Sequence, residues 1–212
     1  YSGAYSALLE PTRGKAVDVL VATILSQATN DIVSSRAFAQ LKSECPEWGS
    51  IFDCPVSLIE KALSCGGLYR EKTQKILGAL GKIKDDLGEI TLDPLLNWPS
   101  KKAFEYLTSL PGVGPKTAAC VLAFGLDKPA FPVDTHIHRI ARRLGYAAEK
   151  QSAVQVQEMF EKAVPDNLKM ELHIMLIEHG RRICTSRKPK CEDCLLRDDC
   201  RYFKDNDCAG VC

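Results

Sequence analysis

Apolar residues recur through this chain at helical spacing, segment after segment, and no segment alternates cleanly as a half-buried strand would. The strongest strand candidate is "AVDVLVATIL", which is rich in β-branched residues. Yet Val17, Leu20, Val21, Ile24 and Leu25 fall at i, i+3, i+4, i+7 and i+8, one face of a helix. Similar stripes run through "DIVSSRAFAQLK", "SLIEKAL", "EKTQKILGALGKIKDDLG", "KKAFEYLTSL", "AVQVQEMFEKAV" and "LKMELHIMLIEHGRRI". Breakers separate them at Cys45-Pro46, Cys54-Pro55, Gly66-Gly67, Asp93-Pro94, Trp98-Pro99 and Gly145. The expectation is an all-α fold of about ten helices joined by short connections. No strict internal repeat is present.

The chain has 212 residues, room for one large domain or two small ones, and 45% are hydrophobic, as in ordinary globular proteins. No apolar run approaches the roughly 20 residues of a membrane span, so no membrane partner is expected. The opening stretch "YSGAYSALLEPTRGK" lacks the apolar core of a signal peptide. A net charge of +1 gives no general attraction to nucleic acid. Charge is clustered, however. From Arg181 to Lys204 eight Lys or Arg face four Asp or Glu, a local excess of four positive charges.

"LPGVGPKTAACV", from Leu110, reads as a helix–hairpin–helix. The helix of "KKAFEYLTSL" ends at Pro111, "PGVG" makes a tight turn whose glycines accept positive φ, and Pro115 suits the first position of the next helix. Backbone amides of Gly112, Val113 and Gly114 then sit at a helix N-terminus and can take a phosphate oxygen, contacting DNA backbone without reading bases. The fragment alone also fits a plain interhelical turn. Lys116 falls one residue into the second helix, where the positive end of the helix dipole disfavours another cation. That position and burial both favour the neutral, nucleophilic amine. A lone lysine there would ordinarily be a solvated surface residue.

Eighteen residues on stands Asp134, ahead of a helix whose apolar face is Ile137, Ile140, Ala141 and Leu144. An N-cap is the expected local role. A capping carboxylate is held rigid and ionised, so it can also stabilise a developing cation. His136 and His138 read as local packing or phosphate neighbours.

Near the end lies "CTSRKPKCEDCLLRDDC", with Cys184, Cys191, Cys194 and Cys200 spaced C-x6-C-x2-C-x5-C. Ten cysteines in a core-rich chain without secretory signals do not read as a disulfide framework. Zinc is one occupant that four such thiolates admit. Structural zinc sites usually offer two close pairs, whereas this spacing has one. A [4Fe–4S] cluster takes four cysteines and tolerates the wide first interval; with the hairpin upstream it is the expected occupant. Arg187, Lys188 and Lys190 make the x6 interval a basic loop suited to phosphates. The remaining cysteines (45, 54, 65, 120, 208, 212) read as core thiols or tail residues.

"LPGVGPKTA", "VDTHIHRIARR" and the cysteine loop together resemble the endonuclease III family of DNA glycosylases, over nearly the whole chain from about Val17 to Cys200. The resemblance implies two all-α domains, a six-helix domain over 18–131 and a cluster domain of 1–17 plus 132–212, with a DNA-binding cleft between them. It implies that Lys116 is the Schiff-base lysine, Asp134 the catalytic aspartate, and Cys184, Cys191, Cys194 and Cys200 the [4Fe–4S] ligands. "LSQATND" resembles the segment whose Gln enters the space left by an extruded base, here Gln27. "CGGLYREK" resembles the minor-groove loop, making Leu68 the wedge. The implied activity is a base excision repair glycosylase and abasic-site lyase, acting as a monomer on double-stranded DNA that carries an oxidised pyrimidine or abasic site. The implied location is the cytoplasm and nucleoid in a prokaryote, or a nucleus or organelle in a eukaryote.

Two departures stand out. Pro115 occupies a place where the family commonly has a basic residue. "AFPVDTHIHRIARRLG" differs in detail from the best-known bacterial pattern, which bears on substrate preference. Adenine-excising members lack the lysine, so Lys116 argues against that branch. Alternatives are a monofunctional mismatch or modified-base glycosylase, a non-catalytic DNA-binding module, and a redox or metal sensor.

Overall fold

The computed structural model describes residues 12–207. Among them are ten α-helices and no strand, so the all-α expectation holds. The described residues divide into two compact units, 12–130 and 131–207.

The first unit is organised around α1 (Ala16–Ser26). Its sequence stripe underestimates its burial, because nine residues from Ala16 to Leu25 are buried, not one face of them. Helices α2 (Asp31–Glu44), α4 (Tyr69–Leu87) and α6 (Pro115–Cys120) pack around it, α3 (Val56–Leu63) lies on α2 and α4, and α5 (Ser100–Ser109) on α6. Enclosure on all sides is why α1 is rich in Val, Leu and Ile and lacks a polar face. Asn30 starts α2 by accepting the Val33 amide at 2.9 Å.

The helix that Pro115 opens does not run on in regular α form. After Cys120 the winding widens to a π turn, Val121–Gly125, in which Leu126 N–H reaches Val121 O at 3.0 Å. This turn packs on the start of α1 so closely that a Cβ on Gly125 would lie 2.7 Å from Ala16 Cα. The Gly14 amide donates to Phe124 O at 2.8 Å. Residues 12–17 therefore belong to the first unit and not, as expected, to the cluster domain. Residues 1–11 and 208–212 of that expected domain, with Cys208 and Cys212, lie outside the described residues.

In the second unit α7 (Thr135–Leu144) packs against α8 (Ala153–Ala163), α9 (Asp166–Arg182) and α10 (Arg201–Asp207). Its core begins at Phe131, which stacks on Phe160 with ring centroids 4.8 Å apart. His173 Nδ1 bonds Pro132 O at 2.8 Å. Ser152 and Gln155 form a reciprocal cap at the start of α8. Cys45 and Cys120 are buried, as expected of core thiols, but Cys65 is exposed.

Candidate functional site

The hairpin between α5 and α6 is built by close packing on α4. Leu110 to Val113 close a turn through Val113 N–H to Leu110 O at 3.1 Å. Gly112 has φ +75°, and a Cβ there would meet the Lys75 stem at 2.6–2.9 Å, so both conformation and space require glycine. Gly114, by contrast, is extended at φ −91° and needs no positive φ. Pro115 opens α6 as expected. Among the three amides expected to receive phosphate, Val113 is set apart. Its side chain is buried and its N–H is already used within the turn. Among the described residues the Gly112 and Gly114 amides find no backbone acceptor.

Lys116 lies half-buried in the first turn of α6, beside the buried Thr117. Gln27, at the C-terminal end of α1, is tied to the same turn. Its Nε2 donates to Gly112 O at 3.1 Å and reaches Thr117 Oγ1 at 3.5 Å, while Lys75 Nζ donates to its Oε1 at 3.4 Å. Lys72, which sequence reasoning passed over, is buried and donates to Leu25 O at 2.7 Å, tethering the last turn of α1. Burial pushes its amine below the ordinary lysine range, and the nearby Lys75 charge pushes the same way. Its position four residues before Ile76, on the buried stripe of α4, was the available signal.

Leu68 caps α4 with φ +58° and ψ +29° and is 58% exposed. The left-handed conformation falls on the leucine itself, not on the two glycines before it. A non-glycine residue there stores about 1–3 kcal/mol of strain. An exposed apolar side chain held on strained backbone is an unusual combination outside a functional loop.

Asp134 is the N-cap of α7. Its carboxylate accepts the Ile137 amide at 2.9 Å and is half-buried. The two neighbouring histidines are structural: His136 Nδ1 lies 3.0 Å from the Arg139 guanidinium, and His138 Nε2 bonds Gln151 O at 2.8 Å.

Cys184, Cys191, Cys194 and Cys200 line one small cavity in the second unit, with Ile140, Ile183 and Leu196 among its walls. Burial pushes the Cys191 thiol up, and the facing Cys200, Cys184 and Cys194 push it further. As ligands the four would be thiolates, and a cationic centre would offset their mutual repulsion. Among the described residues no three His, Cys, Asp or Glu side chains are close enough to hold a metal ion. A single zinc would need the sulfurs about 3.8 Å apart, from Zn–S bonds of roughly 2.3 Å. Four cysteines spread around an apolar cavity suit the wider cage of an iron–sulfur cluster.

The loop carrying these cysteines is held by two arginines that the sequence reading did not single out. Arg139 donates to Gly180 O at 2.9 Å and to Cys184 O through Nε at 3.0 Å and through Nη2 at 2.8 Å. Arg143 donates to Thr185 O at 2.7 Å, Ser186 O at 3.0 Å and Cys184 Sγ at 3.2 Å, and covers the Tyr202 ring at 4.6 Å. Their i, i+4 spacing on the polar side of α7 is visible in "RIARR", but their acceptors are not. His179 Nε2 lies 3.7 Å from Cys194 Sγ, and burial lowers its pKa. Between the first two cysteines the chain is stapled by Thr185 Oγ1 to Lys188 O and Lys190 N–H to Ile183 O, leaving Arg187, Lys188 and Lys190 exposed.

A glycine hairpin, a lysine in the first turn of the helix that follows it and a four-cysteine loop define a helix–hairpin–helix protein with an iron–sulfur centre. Comparison with known proteins agrees. Residues 21–166 match the model of the HhH-GPD superfamily base excision DNA repair protein, and residues 184–200 match the iron–sulfur binding domain of endonuclease III. Endonuclease III of Sulfolobus acidocaldarius is 34% identical over 88% of this chain and 82% of its own. That of Escherichia coli K12 is 33% identical over 87% of this chain and 83% of its own. A non-covalent endonuclease III–DNA complex superposes with a TM-score of 0.80 at 27% identity, covering 91% of this chain and 86% of that one. A trapped endonuclease III–DNA covalent intermediate matches to the same extent. The chain belongs to the HhH-GPD superfamily of base excision DNA repair proteins, as a DNA glycosylase similar to endonuclease III, and its cofactor is a [4Fe–4S] cluster. Among the described residues no helix is long and apolar enough to cross a membrane.

Proposed function

We propose that this glycosylase is bifunctional, excising an oxidised pyrimidine from double-stranded DNA and then cleaving the strand as an abasic-site lyase. The observation that carries the reading is Lys116, an amine at the start of α6 immediately after the phosphate-binding turn. The damaged nucleotide is extruded from the stack, since the reacting sugar carbon is otherwise out of reach. The Lys116 amine attacks C1′ as the glycosidic bond breaks, and the base leaves with that electron pair. The Asp134 carboxylate, fixed by its cap bond to Ile137, stabilises the positive charge that develops on the sugar. Opening of the sugar ring yields an imine. Loss of a C2′ proton then expels the 3′ phosphate by β-elimination. Support for a covalent route comes from the endonuclease III relative trapped on DNA.

Other residues bind. The Gly112 and Gly114 amides receive a backbone phosphate, with Val113 anchoring the turn from below. Leu68 enters the duplex as a wedge, and Gln27 fills the space the extruded base leaves. Arg187, Lys188 and Lys190 hold phosphates without selecting a lesion. Cys184, Cys191, Cys194 and Cys200 ligate the cluster, whose contribution is structural: it cross-links the basic loop. Active as a monomer, the enzyme needs one chain per lesion. The test is incubation with oligonucleotides each carrying one modified base, followed by separate readout of base release and strand cleavage. Oxidised pyrimidines should be released and the strand cut. Release without cleavage would establish the monofunctional alternative.

A further inference from the structure

We propose that Lys75, on α4, is a DNA-phosphate contact of the hairpin turn, held ready by an ion pair with Glu71 that the phosphate displaces. The inference rests on the DNA-binding role given above to the hairpin. It identifies a residue that lies far from the hairpin in sequence.

The geometry begins with the stem. Lys75 Cβ, Cγ and Cδ fill the notch left by the absent side chain of Gly112, so the lysine is seated against the turn. Its head then emerges beside the turn, half-exposed, with Nζ 2.6 Å from Glu71 Oε1 and 3.4 Å from Gln27 Oε1. The turn has a specific need for such a charge. Its amides at Gly112 and Gly114, which find no backbone acceptor among the described residues, offer hydrogen bonds but no net charge, and Pro115, directly after them, offers neither an N–H nor a charge. Lys116 is assigned to covalent chemistry. Lys75 therefore brings a cation to the turn from another helix, where the local sequence provides none to spare.

Glu71 is suited to a holding role. It is the i−4 neighbour on the same helix and is more than half exposed, and its carboxyl is held below the usual carboxylate range by the Lys75 hydrogen bond and charge. Exposed pairs of this kind are among the weakest ion pairs. A DNA phosphate, already held by two amides, is a stronger partner for the ammonium than a solvated carboxylate. Movement of the ammonium to phosphate also removes the donor from Gln27 Oε1. The side chain that is proposed to enter the duplex is thereby loosened from the turn by the same event.

The experiment measures binding of cluster-loaded protein to a duplex containing an uncleavable abasic-site analogue, across a series of salt concentrations. Lys75→Met keeps the stem in the Gly112 notch and removes only the charge. Its plot of log affinity against log salt should be shallower than wild type by about 0.9, with affinity several-fold weaker at low salt. Lys75→Arg should retain the slope. Glu71→Gln should bind several-fold more tightly than wild type, and that gain should vanish in the Glu71→Gln/Lys75→Met double variant. A wild-type slope in folded Lys75→Met overturns the proposal. Unchanged affinity in Glu71→Gln overturns it equally, even if Lys75→Met does not fold. Failure of the wild-type protein to bind duplex in a salt-dependent way would instead remove the proposed function, and this contact with it.

Discussion

Replacing Arg143 by Met tests what holds the cysteine loop on α7. The guanidinium donates to Thr185 O at 2.7 Å in a part-buried setting, to Ser186 O at 3.0 Å at the exposed edge, and to Cys184 Sγ at 3.2 Å. Hydrogen bonds from a charged donor are worth about 1.5–3 kcal/mol each when their loss leaves a buried acceptor unpaired. Ser186 O recovers water after the substitution, so only the Thr185 bond counts in full. Contact of the cation with the Tyr202 face adds roughly 0.5–1 kcal/mol. The expected loss is about 2–4 kcal/mol, or roughly 4–16 °C in Tm at the 2–4 °C per kcal/mol typical of chains this size. The assay is thermal unfolding of cluster-loaded protein, followed by helical circular dichroism and by cluster absorbance. Both transitions should fall, the cluster signal first. Arg143→Lys should recover only part of the loss, because an ammonium cannot reproduce the planar fork that spans these acceptors. An unchanged Tm with full cluster retention in Arg143→Met would refute the assignment of loop stability to this residue.

Further outcomes follow from the remaining residues. Leu68→Gly should raise stability by about 1 kcal/mol by relieving the left-handed strain, yet slow excision from duplex much more than from single strands; parallel losses on both substrates would contradict the wedge. Neutralising Arg187, Lys188 and Lys190 together should weaken binding to damaged and undamaged duplex alike and flatten its salt dependence, whereas a loss confined to one lesion would show that the loop reads bases. Asp134→Asn should retain most of the cap, costing at most about 1 kcal/mol in Tm measurements, while single-turnover base release slows by far more than DNA affinity falls. An equal fall in both would reduce Asp134 to a structural cap.

Helix existence was legible because apolar spacing and breakers act locally, and the N-cap at Asp134 and Pro115 at the first turn of α6 follow from the same local chemistry. What escaped was long-range. Arg139 and Arg143 read as solvated charge on α7, since their carbonyl acceptors lie 41 to 45 residues away along the chain. Val113 looked like one of three equivalent amides until the turn closed on Leu110 O. A stripe on α1 marked the right residues but missed that neighbours enclose the helix completely. At Leu68 the adjacent glycines drew attention, while the strained conformation sat on the leucine. Residues 12–17 were assigned by resemblance to the cluster domain, and only tertiary packing on the π turn places them with α1.

Lys116 is the proposed covalent nucleophile. The most direct measurement is borohydride reduction of the enzyme on duplex DNA carrying an abasic site, followed by proteolysis and sequencing of the cross-linked peptide. The DNA remnant should be found on Lys116, and Lys116→Gln should give no adduct while retaining duplex affinity and the cluster. An adduct on another lysine or on the N-terminal amine, or undiminished trapping by Lys116→Gln, would contradict the mechanism.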